Sequence, residues 1–286
     1  MKAIVSVHGR YHAFELARGL HRRGLLDRLL TTYPAFAARK VMGPDVPLDT
    51  IPRLEAWRRL YPRLKIGPQP DLAIARAFGR FAARSLRASR ADLLIGWSSA
   101  TLEAIAPARD LGMKVVIERG STHITHQTEI LRDEYRRHGK EFSVTDPGIV
   151  ERELREYDLA DAIAVPSRFA AQTFRDRGIA QEKLIVTPLG VDADRFSPAE
   201  PRPAGAVPRI LFVGSIGLRK GTPLLLRAFA RLKEKAELHL VGPLEANFAA
   251  DLAALPLENV VMEGPVSNEA LLKQYAAADV FCLPSL

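Results

Sequence analysis

The sequence predicts two doubly wound α/β domains in tandem, the second of them incomplete. Three observations carry that expectation. Short apolar runs rich in β-branched residues alternate with stretches of helical spacing along nearly the whole chain. Most of those runs are apolar on both faces, as in a parallel sheet covered by helices on either side. One proline-rich break, Phe196-Ser-Pro-Ala-Glu-Pro-Arg-Pro-Ala-Gly-Ala-Val-Pro208, carries almost no large apolar residue and reads as a linker. The expected division is an N-terminal domain over residues 1–197, a linker over 198–208 and a partial C-terminal domain over 209–286.

The expected strands are 3–7, 93–96, 115–118, 162–165, 184–187, 210–213, 238–241, 260–262 and 280–283. Helical spacing fills 13–23, 75–88, 101–110, 149–159, 169–177, 223–233, 246–255 and 269–277. Between Pro34 and Pro70 repeated prolines interrupt any regular pattern, and a loop-rich excursion is expected there. The last strand is followed only by Pro284-Ser-Leu286, without a helix to cover it, which is why the second domain reads as incomplete.

Composition narrows the function classes. Hydrophobic residues make up 47% and charged residues 26% of the 286, as in a soluble globular chain. The apolar opening run is too short for a signal peptide, and none reaches bilayer length, so a cytoplasmic protein is expected. The single Cys282 excludes an internal disulfide and sits in an apolar run as an inert thiol. No Cys/His spacing suits a metal, and no cofactor is expected. The net charge of +8 favours acidic partners. Ten basic residues between Arg53 and Arg90 face only Glu55 and Asp71, with Trp57, Leu60, Tyr61, Leu64, Phe78 and Phe81 interleaved. That pattern suits a membrane-surface helix, but it suits better helices that cover the sheet with an apolar stripe and hold their arginines in water, the rule in α/β proteins. Nucleic acid is not an expected partner, because aromatic residues are only 7% and no RNA-binding signature is present.

The most informative stretch is Phe212-Val-Gly-Ser-Ile-Gly-Leu-Arg-Lys-Gly-Thr222. A buried strand leads into a glycine-punctuated turn, and a helix follows with Thr222 as expected N-cap and Pro223 as first helical residue. Backbone N–H groups, the positive helix end, Arg219 and Lys220 would together suit a diphosphate. The spacing of Gly214, Gly217 and Gly221 matches neither a Walker loop nor the dinucleotide fingerprint.

Several segments taken in order resemble the family-4 glycosyltransferases of the GT-B fold, over nearly the whole chain and weakest from Arg39 to Asp92. They are His8-Gly-Arg-Tyr-His12 with Phe14 to Gly24, Glu118-Arg-Gly-Ser-Thr-His123, and Ala160 to Ser167. Val186-Thr-Pro-Leu-Gly-Val-Asp192 follows, and then Phe212 to Gly221, Leu240-Val-Gly242, Glu263-Gly-Pro-Val266 and Tyr275 to Ser285. The resemblance implies two Rossmann-like domains and metal-independent transfer of a sugar, with retention, from a nucleotide-sugar donor to a sugar or lipid-linked acceptor. It implies donor binding by Gly9, Gly214, Ser215, Gly221, Gly242, Pro265 and Val266, and catalytic roles for His123, Arg219 and Lys220. His12 would serve the acceptor side. For Gly9 a tight turn is nearly as good a reading, and a lone histidine after a strand, such as His123, is more often a polar surface residue.

Three departures stand out. Ser215 replaces a frequent arginine, Leu189 a usual asparagine, and the glycine-rich loop and Glu-x7-Glu segment expected after Pro284-Ser285 are missing, so a C-terminally truncated enzyme is expected. Other readings are a nucleotide-sugar epimerase of the same fold and a non-catalytic nucleotide-sugar, membrane or nucleic-acid binder. Peripheral contact with an anionic membrane at the inner face is compatible with the transferase reading.

Overall fold

The computed structural model describes residues 1–64, 69–142, 145–191, 193–196, 205–232 and 235–286. Most of the expected linker, together with Asp192 and the last residue of the expected helix 223–233, lies outside the described residues. The chain divides into two compact units, one of Met1–Glu129 with Ser143–Leu189, the other of Ile130–Phe142 with Gly190–Leu286.

The first unit is built on seven parallel strands: β1 (Ala3–Val7), β2 (Leu26–Thr31), β3 (Leu48–Thr50), β4 (Leu93–Trp97), β5 (Lys114–Glu118), β6 (Ala162–Val165) and β7 (Leu184–Val186). Their order is β3-β2-β1-β4-β5-β6-β7. The chain runs outward from β1 in one direction and from β4 in the other, so the β1/β4 boundary is the topological switch point, where ligands of open α/β sheets gather. Alternate residues of β1 divide between two cores. Ile4 joins Leu30, Leu94 and Phe78, while Val5 and Val7 join Leu29, Phe14 and Trp97. Both faces are therefore covered, and each such buried side chain contributes about 1.5–3 kcal/mol.

The helices are α1 (Ala13–Arg22), α2 (Ala35–Met42), α3 (Pro52–Leu64), α4 (Asp71–Leu86), α5 (Leu102–Asp110), α6 (Ile124–Arg137), α7 (Pro147–Leu159) and α8 (Arg168–Arg175). Four elements occupy the stretch around the expected excursion: β2 just before it and α2, β3 and α3 within it. Three of the prolines there mark helix starts, where a missing N–H costs nothing: Pro34 precedes α2, Pro52 opens α3 and Pro70 precedes α4, while Pro62 lies inside α3. Strand β2 hides because Asp27 and Arg28 interrupt its apolar run, yet Arg28 is neutralised by Asp27 at 3.0 Å and Asp49 at 3.1 Å. Helix α6 was not expected either, since its sequence is polar around most of its circumference.

The second unit has strands β8 (Arg209–Val213), β9 (Glu237–Val241), β10 (Val260–Gly264) and β11 (Val280–Phe281), all parallel, in the order β10-β9-β8-β11. Its helices are α9 (Thr222–Phe229), α10 (Ala249–Ala253) and α11 (Asn268–Ala277), so the expected helix 246–255 shortens to five α-helical residues after a 3-10 turn at Ala246–Phe248. Phe212, Leu226, Phe229, Leu238, Leu240 and Phe248 form its core. Tyr135 packs into the same core and Phe142 against it, which is why residues 130–142 belong to this unit. Cys282 is a free, half-buried thiol against that core. Among the described residues no helix is long and apolar enough to cross a membrane.

Candidate active site

In the second unit, three neighbouring strands end in glycine along the carboxyl edge of the sheet. Gly214 follows β8, Gly242 follows β9 and Gly264 closes β10, with φ of 155°, 137° and 67°. The Gly214 N–H donates to the Val241 carbonyl and the Gly242 N–H to the Gly264 carbonyl, each at 2.9 Å. At Gly242 a Cβ would lie closer to the Gly214 carbonyl oxygen than the 3.0 Å real Cβ atoms essentially never undercut. Gly242 thus lets the ends of β8 and β9 approach, and the row of glycines leaves a floor without side chains.

The turn after β8 rises from this floor. Lys220 folds back over Gly214, its Cε and Cγ each 3.8 Å from where a Gly214 Cβ would stand. Burial and the neighbouring Arg219 pull the Lys220 ammonium pKa down, against a smaller upward pull from Glu245. Arg219 is exposed beside it. The helix begins one residue earlier than expected. Gly221, in the left-handed region at φ 67°, is the N-cap of α9, while Thr222 is its first residue and Pro223 its second. The Thr222 hydroxyl is committed elsewhere: it accepts from the Gly217 N–H at 3.0 Å and ties the turn closed.

That closure also thins the backbone cradle. The N–H groups of Gly214, Ile216, Gly217, Gly221 and Thr222 are all engaged by partners within the unit. Ser215 keeps an N–H without a protein partner among the described residues, so an anion over this floor would meet mainly Lys220, Arg219 and Ser215. Pro265 is exposed and Val266 half-buried just after Gly264, and Ser267 caps α11 by accepting from the Ala270 N–H. Gly214, Ser215, Arg219, Lys220, Gly221, Gly242, Pro265 and Val266 therefore share the same edge of one sheet. Glu245 was not singled out by the sequence. Its carboxylate packs where a Gly217 side chain would be, and its charge raises the Lys220 pKa against burial and Arg219.

In the first unit the loop after β1 carries Gly9. Its carbonyl accepts from the Thr31 hydroxyl at 2.7 Å, and a Cβ on it would meet the Tyr11 ring at 2.9 Å. The missing side chain makes room for Tyr11, itself at φ 41°, so the tight-turn reading accounts for this glycine. Arg58 of α3 donates to the neighbouring His8 carbonyl at 3.0 Å. His12 bonds Glu118 at 3.1 Å and stacks its ring 5.0 Å from that of Trp97.

His123 is 3% exposed, packed against the rings of Tyr157 and Phe174 at 5.1 and 4.9 Å. The Thr125 N–H donates to its Nδ1 at 3.3 Å, and the Thr125 hydroxyl lies 2.9 Å from the same nitrogen while accepting from Arg177. Nδ1 is thus an acceptor, which places the proton of the neutral ring on Nε2. Burial first, then Arg177 and Arg119, lower its pKa to about 4. At neutral pH His123 is a hydrogen-bond donor and not a cation. It makes no contact with His12 or Gly9 in the hydrogen-bond and ring contacts of this unit.

A further cluster stands at the switch point, where sequence reading found nothing. Ser99, after β4, holds φ of 70°. Its N–H donates to Glu156 of α7 at 2.6 Å, and the Thr101 and Leu102 N–H groups donate to the same carboxyl at 2.7 and 2.9 Å. Glu156 therefore caps α5 from another helix, since the Thr101 hydroxyl turns back to the Trp97 carbonyl. Burial and the charge of Glu153 push its pKa up to about 8. Arg152 bonds the Ser99 carbonyl at 2.9 Å and clasps Glu103 with both terminal nitrogens. No sequence signal announces a cap reaching across more than fifty residues.

With this geometry in view, comparison with known proteins decides the family. The family model described as Glycosyltransferase Family 4 matches residues 9–195, and that described as Glycosyl transferases group 1 matches 207–286. The chain belongs to glycosyltransferase family 4. This family-4 chain is 35% identical over 146 residues to an MMP alpha-(1->4)-mannosyltransferase of Mycolicibacterium hassiacum, covering 49% of the chain and 35% of the relative. The match thus spans about a third of that curated relative's length. A sucrose-phosphate synthase of Thermosynechococcus elongatus has the same fold at 19% identity and a TM-score of 0.65, covering 99% of this chain and 75% of that one. HepE of Anabaena, solved with UDP-glucose, has it at 14% and 0.63, covering 100% and 74%. The paired doubly wound architecture expected from the sequence is the architecture of these neighbours.

Proposed function

We propose that this family-4 chain carries the donor half-site and much of the acceptor side of a glycosyltransferase that moves a sugar from a nucleotide-sugar donor to an acceptor with retention of configuration. The observation that carries the reading is Lys220 folded over Gly214, above a floor of three strand-end glycines. A diphosphate laid on that floor meets no side chain from below and two cations from one side. Binding of HepE to UDP-glucose supports a nucleoside diphosphate sugar as donor.

The chemistry follows from charge. As the bond from the anomeric carbon to the diphosphate breaks, negative charge grows on the leaving oxygens. Lys220 and Arg219 stabilise it more than they stabilise the bound donor, which lowers the barrier. Fixed cations in that position take the role a divalent ion would otherwise have, so transfer is proposed to be metal-independent. In the first unit, His123 would offer its Nε2–H to a sugar hydroxyl, and His12 would serve the acceptor side. The acceptor is a sugar or a lipid-linked sugar.

The test is a panel of UDP-, GDP- and ADP-sugars, each added to the 286-residue chain in the presence of EDTA, with thermal stability as readout. One nucleotide class raising Tm, and the matching nucleoside monophosphate failing to, is the expected result. No rise with any diphosphate sugar, or a rise only when a divalent ion is restored, overturns the reading.

A further inference from the structure

Helix α3 has two faces of opposite character. Its inner face holds Leu54 in the core, and Arg58 reaches the His8 carbonyl beneath. Glu55, also buried, accepts from Thr32 and pairs with Arg58 and Arg59. Its outer face carries Arg53, Trp57, Leu60 and Leu64, spaced i, i+4, i+7 and i+11, which is one stripe of a helix. Trp57, Leu60 and Leu64 are 42%, 48% and 58% exposed. Three large apolar side chains in line on the outside of a helix are not explained by the core.

The charge around the stripe says what covers it. Helix α4 packs against α3. It exposes Arg76, Arg80 and Arg84, followed by Arg87, at i, i+4, i+8 and i+11. Arg53 and Arg63 are exposed on α3 itself. Glu55 and Asp71 are the only acids between Arg53 and Arg90, and Glu55 is buried with partners of its own. We infer that the outer face of α3 seats in an anionic lipid interface, Trp57, Leu60 and Leu64 entering the boundary between headgroups and acyl chains while the arginines meet lipid phosphates. A second copy of the chain would set these arginines against their like. Nucleic acid would satisfy the arginines but offers nothing to two aliphatic leucines. The inference stands apart from the transfer reading, because lipid contact needs neither donor nor acceptor. It would set the loop of His8 and Gly9 one helix diameter, about 10–12 Å, from the lipid surface.

Fluorescence gives the test, since Trp57 and Trp97 are the two tryptophans and Trp97 is buried. The full chain is mixed with sucrose-loaded vesicles of phosphatidylcholine, alone or with about one third phosphatidylglycerol. Co-sedimentation, a blue shift and protection from acrylamide are expected with the anionic vesicles only, weakening as salt is raised. Leu60→Ser with Leu64→Ser lowers partitioning about tenfold or more. If that double variant loses its far-UV dichroism, Arg80→Glu with Arg84→Glu, on exposed positions of α4, gives the same reduction. Wild-type chain left in the supernatant, or variants that sediment equally, overturn the inference. So does retention on single-stranded nucleic acid with vesicles ignored. Trp57 protection that grows with protein concentration in the absence of lipid assigns the face to a second copy and likewise overturns it.

Discussion

Replacing Gly242 with alanine perturbs the glycine floor at its tightest point. At φ 137° an L-residue is strained by about 1–3 kcal/mol. The new methyl also overlaps the Gly214 carbonyl oxygen, which is backbone and cannot swing aside. One strand end must retreat, and the 2.9 Å bond from the Gly214 N–H to the Val241 carbonyl is lost or stretched, at about 1 kcal/mol. Together these destabilise the second unit by about 3 kcal/mol, or roughly 10 °C in Tm. Gly264→Ala is the control. Its φ is 67° and nothing lies within 4 Å of the added methyl, so it meets the conformational term of about 1–2 kcal/mol without displacing a neighbour. Differential scanning fluorimetry and urea melts of the two variants, with nucleoside diphosphate titrations, give the comparison. Gly242→Ala is expected to lose more stability than Gly264→Ala, and nucleotide affinity with it. Equal Tm values, or a Gly242→Ala protein that binds as the parent does, would refute the close-approach reasoning.

Two other expectations concern the first unit. Glu156→Gln leaves an amide nitrogen facing a backbone N–H at the start of α5, at a cost of about 1–3 kcal/mol by chemical denaturation; a loss under about 0.5 kcal/mol contradicts the capping role. Because the folded pKa of Glu156 is raised to about 8, its contribution weakens as pH rises from the ordinary carboxyl value toward 8, and the variant loses that slope. His123 has the opposite sense. With a folded pKa of about 4 against 6.5, its burial as a neutral ring favours the fold fully above pH 6.5 and progressively less down to pH 4, by up to about 3 kcal/mol. An NMR titration in which the His123 ring shifts move between pH 6 and 7 contradicts this placement.

The strands of the second unit were legible because Ile210–Val213 is an unbroken apolar run in β8, β9 sets Leu238, Leu240 and Val241 around a single His239, and glycine follows each of them. The same logic failed at β2, where Asp27 and Arg28 pair with one another across the start of the strand and make it read as a surface loop. Prolines misled in the opposite way, since those at 34, 52 and 70 sit where helices begin. Residue types in the turn after β8 pointed to Lys220, and the family resemblance pointed to Gly242. They could not show that Thr222 closes the turn and takes up the Gly217 N–H, because both readings use the same threonine. Glu156 and Ser99 were invisible for a different reason. Their pairing exists only once α7 lies across the start of α5, which local sequence does not encode.

The account rests on Lys220 as the cation over the glycine floor, and calorimetric titration of the nucleoside diphosphate that raises Tm addresses it most directly. Lys220→Met keeps the packing over Gly214 and removes only the charge. Its affinity for the diphosphate should fall at least about tenfold, from the loss of one charge-assisted bond of about 1.5–3 kcal/mol, while the nucleoside alone binds unchanged. Diphosphate affinity within threefold of the parent would contradict the assignment.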